Sequence, residues 1–167
     1  MANKKTITLH HWNSKAIRIN LNRTYRDEPF WNKPDGLWLS DESDSGWKQW
    51  CESAQWNLDG FKHLHLIECD VSKWLILNTP NKLVRFTKKY LKTTDFGLPY
   101  IDWQAVKAKY SGIIISPYQW EHRHNPKTSW YYGWDCASAC VWDLSTIKSV
   151  KKQVLPRKQK KKQLVTA

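Results

Sequence analysis

KPDGLWLSDESDSGWKQWC, residues 33–51, carries the densest run of local signals in the chain. Lys33-Pro34-Asp35-Gly36 reads as a turn, because proline fixes one backbone dihedral and glycine tolerates positive φ. Gly36 to Ser40 then reads as a short strand, with Leu37 and Leu39 on one face and Trp38 and Ser40 on the other. Asp41 to Ser45 offers Asp and Ser oxygens for the free amides of a helix start. Trp47, Trp50, Cys51 and Ala54 follow at spacings of three, four and seven, one face of a helix. An aromatic strand residue leading into a helix with two more tryptophans makes either a packed core or a flat-walled pocket for a planar heterocycle, and spacing alone leaves both readings open.

This stretch resembles the central motif of the ADP-ribosyltransferase superfamily, in the branch of the poly-ADP-ribose polymerases and diphtheria toxin. There the pattern is roughly Gly-Ile-Tyr-Phe-Ala-Asp, a short spacer, and a helix containing Ser-Ala-Asn-Tyr-Cys, and two tyrosines sandwich the nicotinamide ring of NAD. Trp38 and Trp50 stand in the two tyrosine positions. The resemblance implies that Gly36, Trp38, Ser40, Trp47 and Trp50 belong to a cofactor-binding set for NAD as substrate.

Working outward toward the N-terminus, Thr6 to Trp12 alternates, with Ile7, Leu9 and His11 on one face and Thr8, His10 and Trp12 on the other. A histidine ending an apolar face points into a core or a cleft, which selects His11 over His10; a hydrogen-bonded strand-end histidine is the plainer alternative. The superfamily's first motif is a short apolar strand ending in His-Gly-Ser or His-Tyr-Ser. Leu9-His10-His11-Trp12-Asn13-Ser14 is similar to it, with Trp12 where the glycine or tyrosine stands. The resemblance implies that His11 holds a ribose and that Trp12 and Asn13 lie at the NAD site.

Toward the C-terminus, Gly133 to Ser138 leads into a small, apolar strand over Ala139 to Leu144. The family's third motif is an acid at the start of a late strand, which stabilises the oxocarbenium ion as nicotinamide leaves. Asp135 is the acid in that position, and Ser138 is a second polar candidate. The resemblance thus gives His11 and Asp135 as catalytic residues, and no metal is expected.

Elsewhere the patterns predict strands over Lys62–Cys69 and Lys73–Asn78, with Leu64 and Leu66 inward and His63 and His65 outward. Helices are predicted over Thr79–Leu91, with Pro80 in its first turn, and over Asp102–Tyr110, closed by Gly112. Thr93–Tyr100 reads as a loop and Ile113-Ile114-Ile115 as a buried strand. Arg18, Arg23 and Arg26 are candidates for phosphate contact, in a segment whose family counterpart lies over the dinucleotide. Tyr118–Tyr132 is a loop rich in aromatics and bases, suited either to stacking and phosphate contact or to being pinned by its aromatics.

The 167 residues include 12 tryptophans and a net charge of +12. Residues 1–150 are expected to form one domain, followed by a basic tail over 151–167 that contains seven Lys and Arg and no acid. Such a tail is either solvated or in contact with a polyanion. No apolar run approaches a membrane span, and no h-region follows the basic N-terminus. The four cysteines, at 51, 69, 136 and 140, form no CxxC pair, which points to reduced thiols and a cytoplasmic protein.

The resemblance implies an α+β fold with a split, mostly antiparallel sheet and flanking helices. It also implies an NAD-dependent ADP-ribosyltransferase acting on a nucleic acid or protein acceptor. By analogy the small size suits a phage or bacterial effector. The rival readings are a non-catalytic nucleic-acid-binding module and an inactive interaction protein on the same fold.

Overall fold

The structure, a computed structural model, describes residues 5–15, 18–26 and 33–155. The chain begins with strand β1 (Thr6–Asn13) and β2 (Leu37–Ser40), followed by helix α1 (Trp47–Ser53). Then come β3 (His63–Asp70), β4 (Trp74–Ile76), helix α2 (Pro80–Tyr90), β5 (Leu91–Thr93) and β6 (Pro99–Ile101). Helix α3 (Trp103–Lys107), β7 (Gly112–Ile115), β8 (Ser138–Val141) and β9 (Ile147–Gln153) complete the order. Seven strands form one sheet in the order β4-β7-β8-β2-β1-β3-β9, and β5 and β6 pair separately as a hairpin. Among the described residues only β4 and β7 run parallel. The architecture is therefore α+β around a large mixed sheet.

Pairing along that sheet is uneven. β1 pairs with β3 over eight residues, from Thr6–Asp70 to Asn13–His63. It meets β2 at one residue pair, His10–Ser40. The β1–β2 junction is thus the most sparsely paired in the sheet.

Apolar clusters cover both faces. Leu9, Leu37, Leu39, Ile67, Ala139 and Val141 pack on one side. On the other, Ile113, Ile115 and Cys140 meet Leu83, Phe86 and Tyr90 of α2, Trp103 and Val106 of α3, and Trp130, Tyr131 and Trp134. Burial on both faces explains why β7 reads as a continuous apolar run and not an alternating one. Helix α2 starts at Pro80, with the Thr79 hydroxyl accepting from the Lys82 amide at 3.3 Å.

Four expectations change in three dimensions, and one open choice is decided. His65 is buried, 4% exposed, and lies opposite His11 on the face that carries Leu9, Ile67 and Cys69, while Leu66, expected inward, is only half-buried. Gly112 does not close a helix; it opens β7, where a Cβ would come within 2.9 Å of the Trp74 indole. The Thr93–Tyr100 loop is the turn of the β5–β6 hairpin, with Gly97 at φ +78°. The boundary after residue 150 falls inside β9, whose Lys151 and Lys152 pair with Leu66 and His65. Tyr118, Trp130 and Tyr131 are buried, so the 118–132 loop is pinned by its aromatics, while Trp120 and Tyr132 stay exposed. The rest of the basic tail, residues 156–167, lies outside the described residues, as do 27–32 of the segment expected over a dinucleotide. Among the described residues no helix is long and apolar enough to cross a membrane.

Candidate functional site

Strands β1, β2 and β8 lie side by side, and their ends open into a cleft of about 300 Å³. From β1 come His10, His11 and Trp12, and from β2 come Trp38 and Ser40. Trp47 enters from the start of α1, and Asp135, Cys136 and Ser138 from the segment leading into β8, with Lys33 from the turn before β2. Residues far apart in sequence meet here because antiparallel pairing of β2 with β8 and of β2 with β1 sets these three strands side by side within the sheet.

His11 is held at both nitrogens. Its Nδ1 lies 2.9 Å from the Trp38 carbonyl oxygen, which can only accept, so Nδ1 carries the proton. Nε2 then accepts from the Asn13 side-chain amide at 3.0 Å. The ring bridges β1 and β2 where backbone pairing has ended. Burial, the largest influence, pulls its pKa below the ordinary imidazole value; the Trp38 bond works the other way and the nearby His65 adds to the drop. A folded pKa below the unfolded value stabilises the fold above pH 6.5, and that stability is lost as pH falls from there toward the folded value. Urea unfolding from pH 7.5 to pH 5 is therefore expected to show an acid loss of stability that His11→Gln, uncharged throughout, reduces. Identical pH slopes in the two proteins would remove His11 as its source.

Asp135 faces the cleft as part of a relay. Its Oδ1 accepts from Arg123 at 3.2 Å, Arg123 also donates to the Tyr118 hydroxyl at 2.9 Å, and that hydroxyl donates to the Trp134 carbonyl. Its Oδ2 lies 4.0 Å from the Lys33 ammonium. Lys33 in turn sits 5.2 Å from the centre of the Trp38 ring. The Trp38 indole meets Trp134 edge-on, 4.8 Å between centroids, which fixes it against the core.

Three of the expected cofactor residues are placed differently from the sequence reading. Trp50 stacks on Trp47, 5.3 Å apart and 11° from parallel, so Trp47 forms the second aromatic wall and Trp50 lies behind it. Helix α1 turns its second indole along its own surface, toward Trp56. Gly36 does not border the cleft. A Cβ there would lie 2.4 Å from Cys140 Sγ and 2.8 Å from the Val141 carbonyl oxygen, so the missing side chain lets the chain entering β2 lie against β8. Asn13 acts through His11 and does not line the cleft. Trp12, Ser40 and Ser138 line it; the Ser138 hydroxyl donates to the Cys136 carbonyl.

The structure also adds residues. His10, set aside by the alternation argument, lines the cleft, and its buried Nδ1 has no hydrogen-bond partner. Glu42 organises the site from the rear: one carboxylate oxygen accepts from Ser40 Oγ at 2.5 Å, Trp12 Nε1 at 3.1 Å and the Lys48 amide at 3.3 Å. Ser40 Oγ accepts from the Trp47 amide at 2.7 Å. The first amides of α1 are thus capped by Ser40 and Glu42, not by Asp41, Ser43 or Ser45. An acid just ahead of a helix was the available signal for Glu42.

Comparisons with family models, with curated proteins and with solved structures find no match for the chain.

Chemically, the cleft offers three indoles, of Trp12, Trp38 and Trp47, with a neutral imidazole bridge, an unpartnered imidazole nitrogen and a carboxylate. Cys136 is no nucleophile at neutral pH, because burial pushes its thiol up to about 12. Among the described residues no group of three His, Cys, Asp or Glu is arranged to hold a metal.

Proposed function

We propose that the cleft binds the nicotinamide end of NAD and that the chain is an ADP-ribosyltransferase for a nucleic acid or protein acceptor. The observation that carries this reading is the meeting of the three resembled motifs: His11, Trp38 and Asp135 border one cleft. The Lys33 ammonium adds to it. It rests over the Trp38 ring and beside Asp135, so the site already accommodates a positive charge between an indole face and a carboxylate. The nicotinamide ring of NAD is itself cationic and flat. A volume near 300 Å³ is at the small end for ligand pockets, enough for nicotinamide and its ribose, with the remainder of the dinucleotide outside.

In this reading Trp38 and Trp47 hold the ring, His10 Nδ1 is available to a ribose hydroxyl or the carboxamide, and Asp135 faces the anomeric carbon. The bond from that carbon to the nicotinamide nitrogen breaks, and its electron pair leaves with nicotinamide. The acceptor's nucleophilic atom supplies the pair for the new bond and loses its proton to solvent. Asp135 stabilises the positive charge that develops between these events.

The test is release of free nicotinamide from NAD by the purified protein, together with NAD binding read by tryptophan quenching. Trp38→Ala and Trp47→Ala are each expected to weaken binding by about 1–3 kcal/mol, the worth of one stacking face. Trp38→Tyr should retain much of the affinity, and Trp50→Ala should have the smaller effect because it removes a support and not a wall. Wild-type affinity in Trp38→Ala would mean that the indole is simply core.

A second reading, a nucleic-acid-binding module without catalysis, is favoured by the bond from Arg123 to Asp135. A carboxylate already neutralised by a guanidinium stabilises a developing cation less. Nicotinamide release separates the two readings.

A further inference from the structure

Helix α2 carries more positive charge than its neighbours neutralise, although Lys88 and Lys89 suit the negative end of its dipole. Lys82, Arg85, Lys88 and Lys89 lie within its 11 residues, which include no acid. At 100° per residue they fall on the side away from the buried Leu83, Phe86, Thr87 and Tyr90. Among the described residues none of the four joins an ion pair. Lys82 donates to the Asn78 side chain at 2.8 Å, and the Lys89 ammonium lies 5.2 Å from the centre of the Tyr90 ring. Like charges three and four residues apart repel along a helix face. Lys82, in the first turn, also opposes the positive end of the helix dipole. A bound polyanion would reverse both penalties.

A shallow groove of about 270 Å³ runs between this helix and β4, the edge strand of the sheet. Lys82, Arg85 and Lys89 border it, and Leu75, Phe86, Tyr90 and Tyr110 line it. Tyr90 is 5% exposed, and its hydroxyl finds no hydrogen-bond partner of normal geometry. Phe86 and Tyr90 form the buried floor, and Tyr110 is the half-buried ring within reach of a base. Three cations beside one such ring form an arrangement that takes phosphates along the helix and a base against the tyrosine.

We propose that the α2–β4 groove is a docking surface for single-stranded nucleic acid. It is separate from the nicotinamide cleft: the chain of ring contacts from Trp38 through Trp134 and Trp130 to Phe86 lies between them. The proposal therefore stands or falls independently of NAD binding.

The test is fluorescence anisotropy of a labelled oligo-dT titrated with the full chain at several salt concentrations. The triple variant Lys82→Gln, Arg85→Gln, Lys89→Gln is expected to bind at least tenfold more weakly. The slope of log affinity against log salt should fall by about two, the value for three phosphate contacts on a single strand. Tyr110→Leu should lower affinity with the slope unchanged, since it removes a ring and not a charge. NAD quenching should be the same in all three proteins, which keeps a failure here distinct from a failure of the cleft. Wild-type affinity and slope in the triple variant would overturn the proposal. So would co-sedimentation with phosphatidylserine vesicles without oligonucleotide binding, which would make the groove a membrane-facing surface.

Discussion

On the proposed reading, His11→Ala is expected to reduce nicotinamide release by about 100-fold, the scale of misplacing a positioning group, here the Trp38 wall that the imidazole bridges to β1. The residue does two things at once. It bridges β1 to the Trp38 carbonyl where the strands no longer pair, and it presents its ring to the cleft. Alanine leaves the Trp38 carbonyl and the Asn13 amide without their partner, at about 1–3 kcal/mol for a buried group left unpaired. Unfolding measurements should show a loss of that size, with the protein still folded. His11→Gln can rebuild both bonds, so it separates the bridge from the ring: recovery of stability without activity assigns the imidazole to the reaction. Wild-type turnover in His11→Ala would end the assignment. A wild-type protein that releases no nicotinamide with any acceptor offered would leave the nucleic-acid-binding reading in its place.

Trp134→Ala is expected to destabilise the protein by about 3–5 kcal/mol, the range for removing a buried tryptophan. The indole is fully buried and touches Trp38, Trp130 and Tyr131. The lower end of the range is expected, because its buried Nε1 has no partner and that desolvation cost disappears with the ring. For a chain of this size the thermal midpoint should fall by at least about 6 °C. The loss should reach the cleft as well, since the edge that braces Trp38 is gone, and NAD affinity should drop even where the protein remains folded. A change below about 1 kcal/mol would show that the aromatic cluster closes over the gap. Trp130→Ala is the control: it removes a comparably buried indole whose ring contacts are with Phe86, Trp103, Tyr131 and Trp134 and not with Trp38, together with a 2.8 Å bond from its Nε1 to Thr87.

Much of the local structure was legible. The Leu37–Ser40 strand, the Pro80–Tyr90 helix and the buried Gly112–Ile115 strand follow from alternation, a threonine cap with proline and an uninterrupted apolar run. Each of these signals is made by residues within one turn or one strand of each other, where backbone geometry alone sets which side chains share a face. His11, Trp38 and Asp135 were singled out by a resemblance to family motifs and by their order along the chain. That they border one cleft rests on the sheet order β8-β2-β1, a choice among strands that no local pattern specifies.

The errors have the same origin. Helical spacing placed Trp47 and Trp50 on one face, but which indole turns toward the strand depends on where α1 sits. That position is set by the Ser40 and Glu42 bonds to its first amides. Alternation gave β3 the wrong phase: it put Leu64 and Leu66 inward, yet the face that joins the core cluster is that of His65, Ile67 and Cys69, a choice set by pairing with β1. Gly36 looked like part of a binding motif, yet its need for no side chain comes from Cys140 and Val141, more than 100 residues later in the chain. Local periodicity determined where strands and helices form and which of their faces are apolar. Which apolar faces meet, which polar groups find partners and where the cleft opens were decided by contacts between distant segments, because burial and hydrogen bonding are satisfied across the whole sheet and not within any one of its strands.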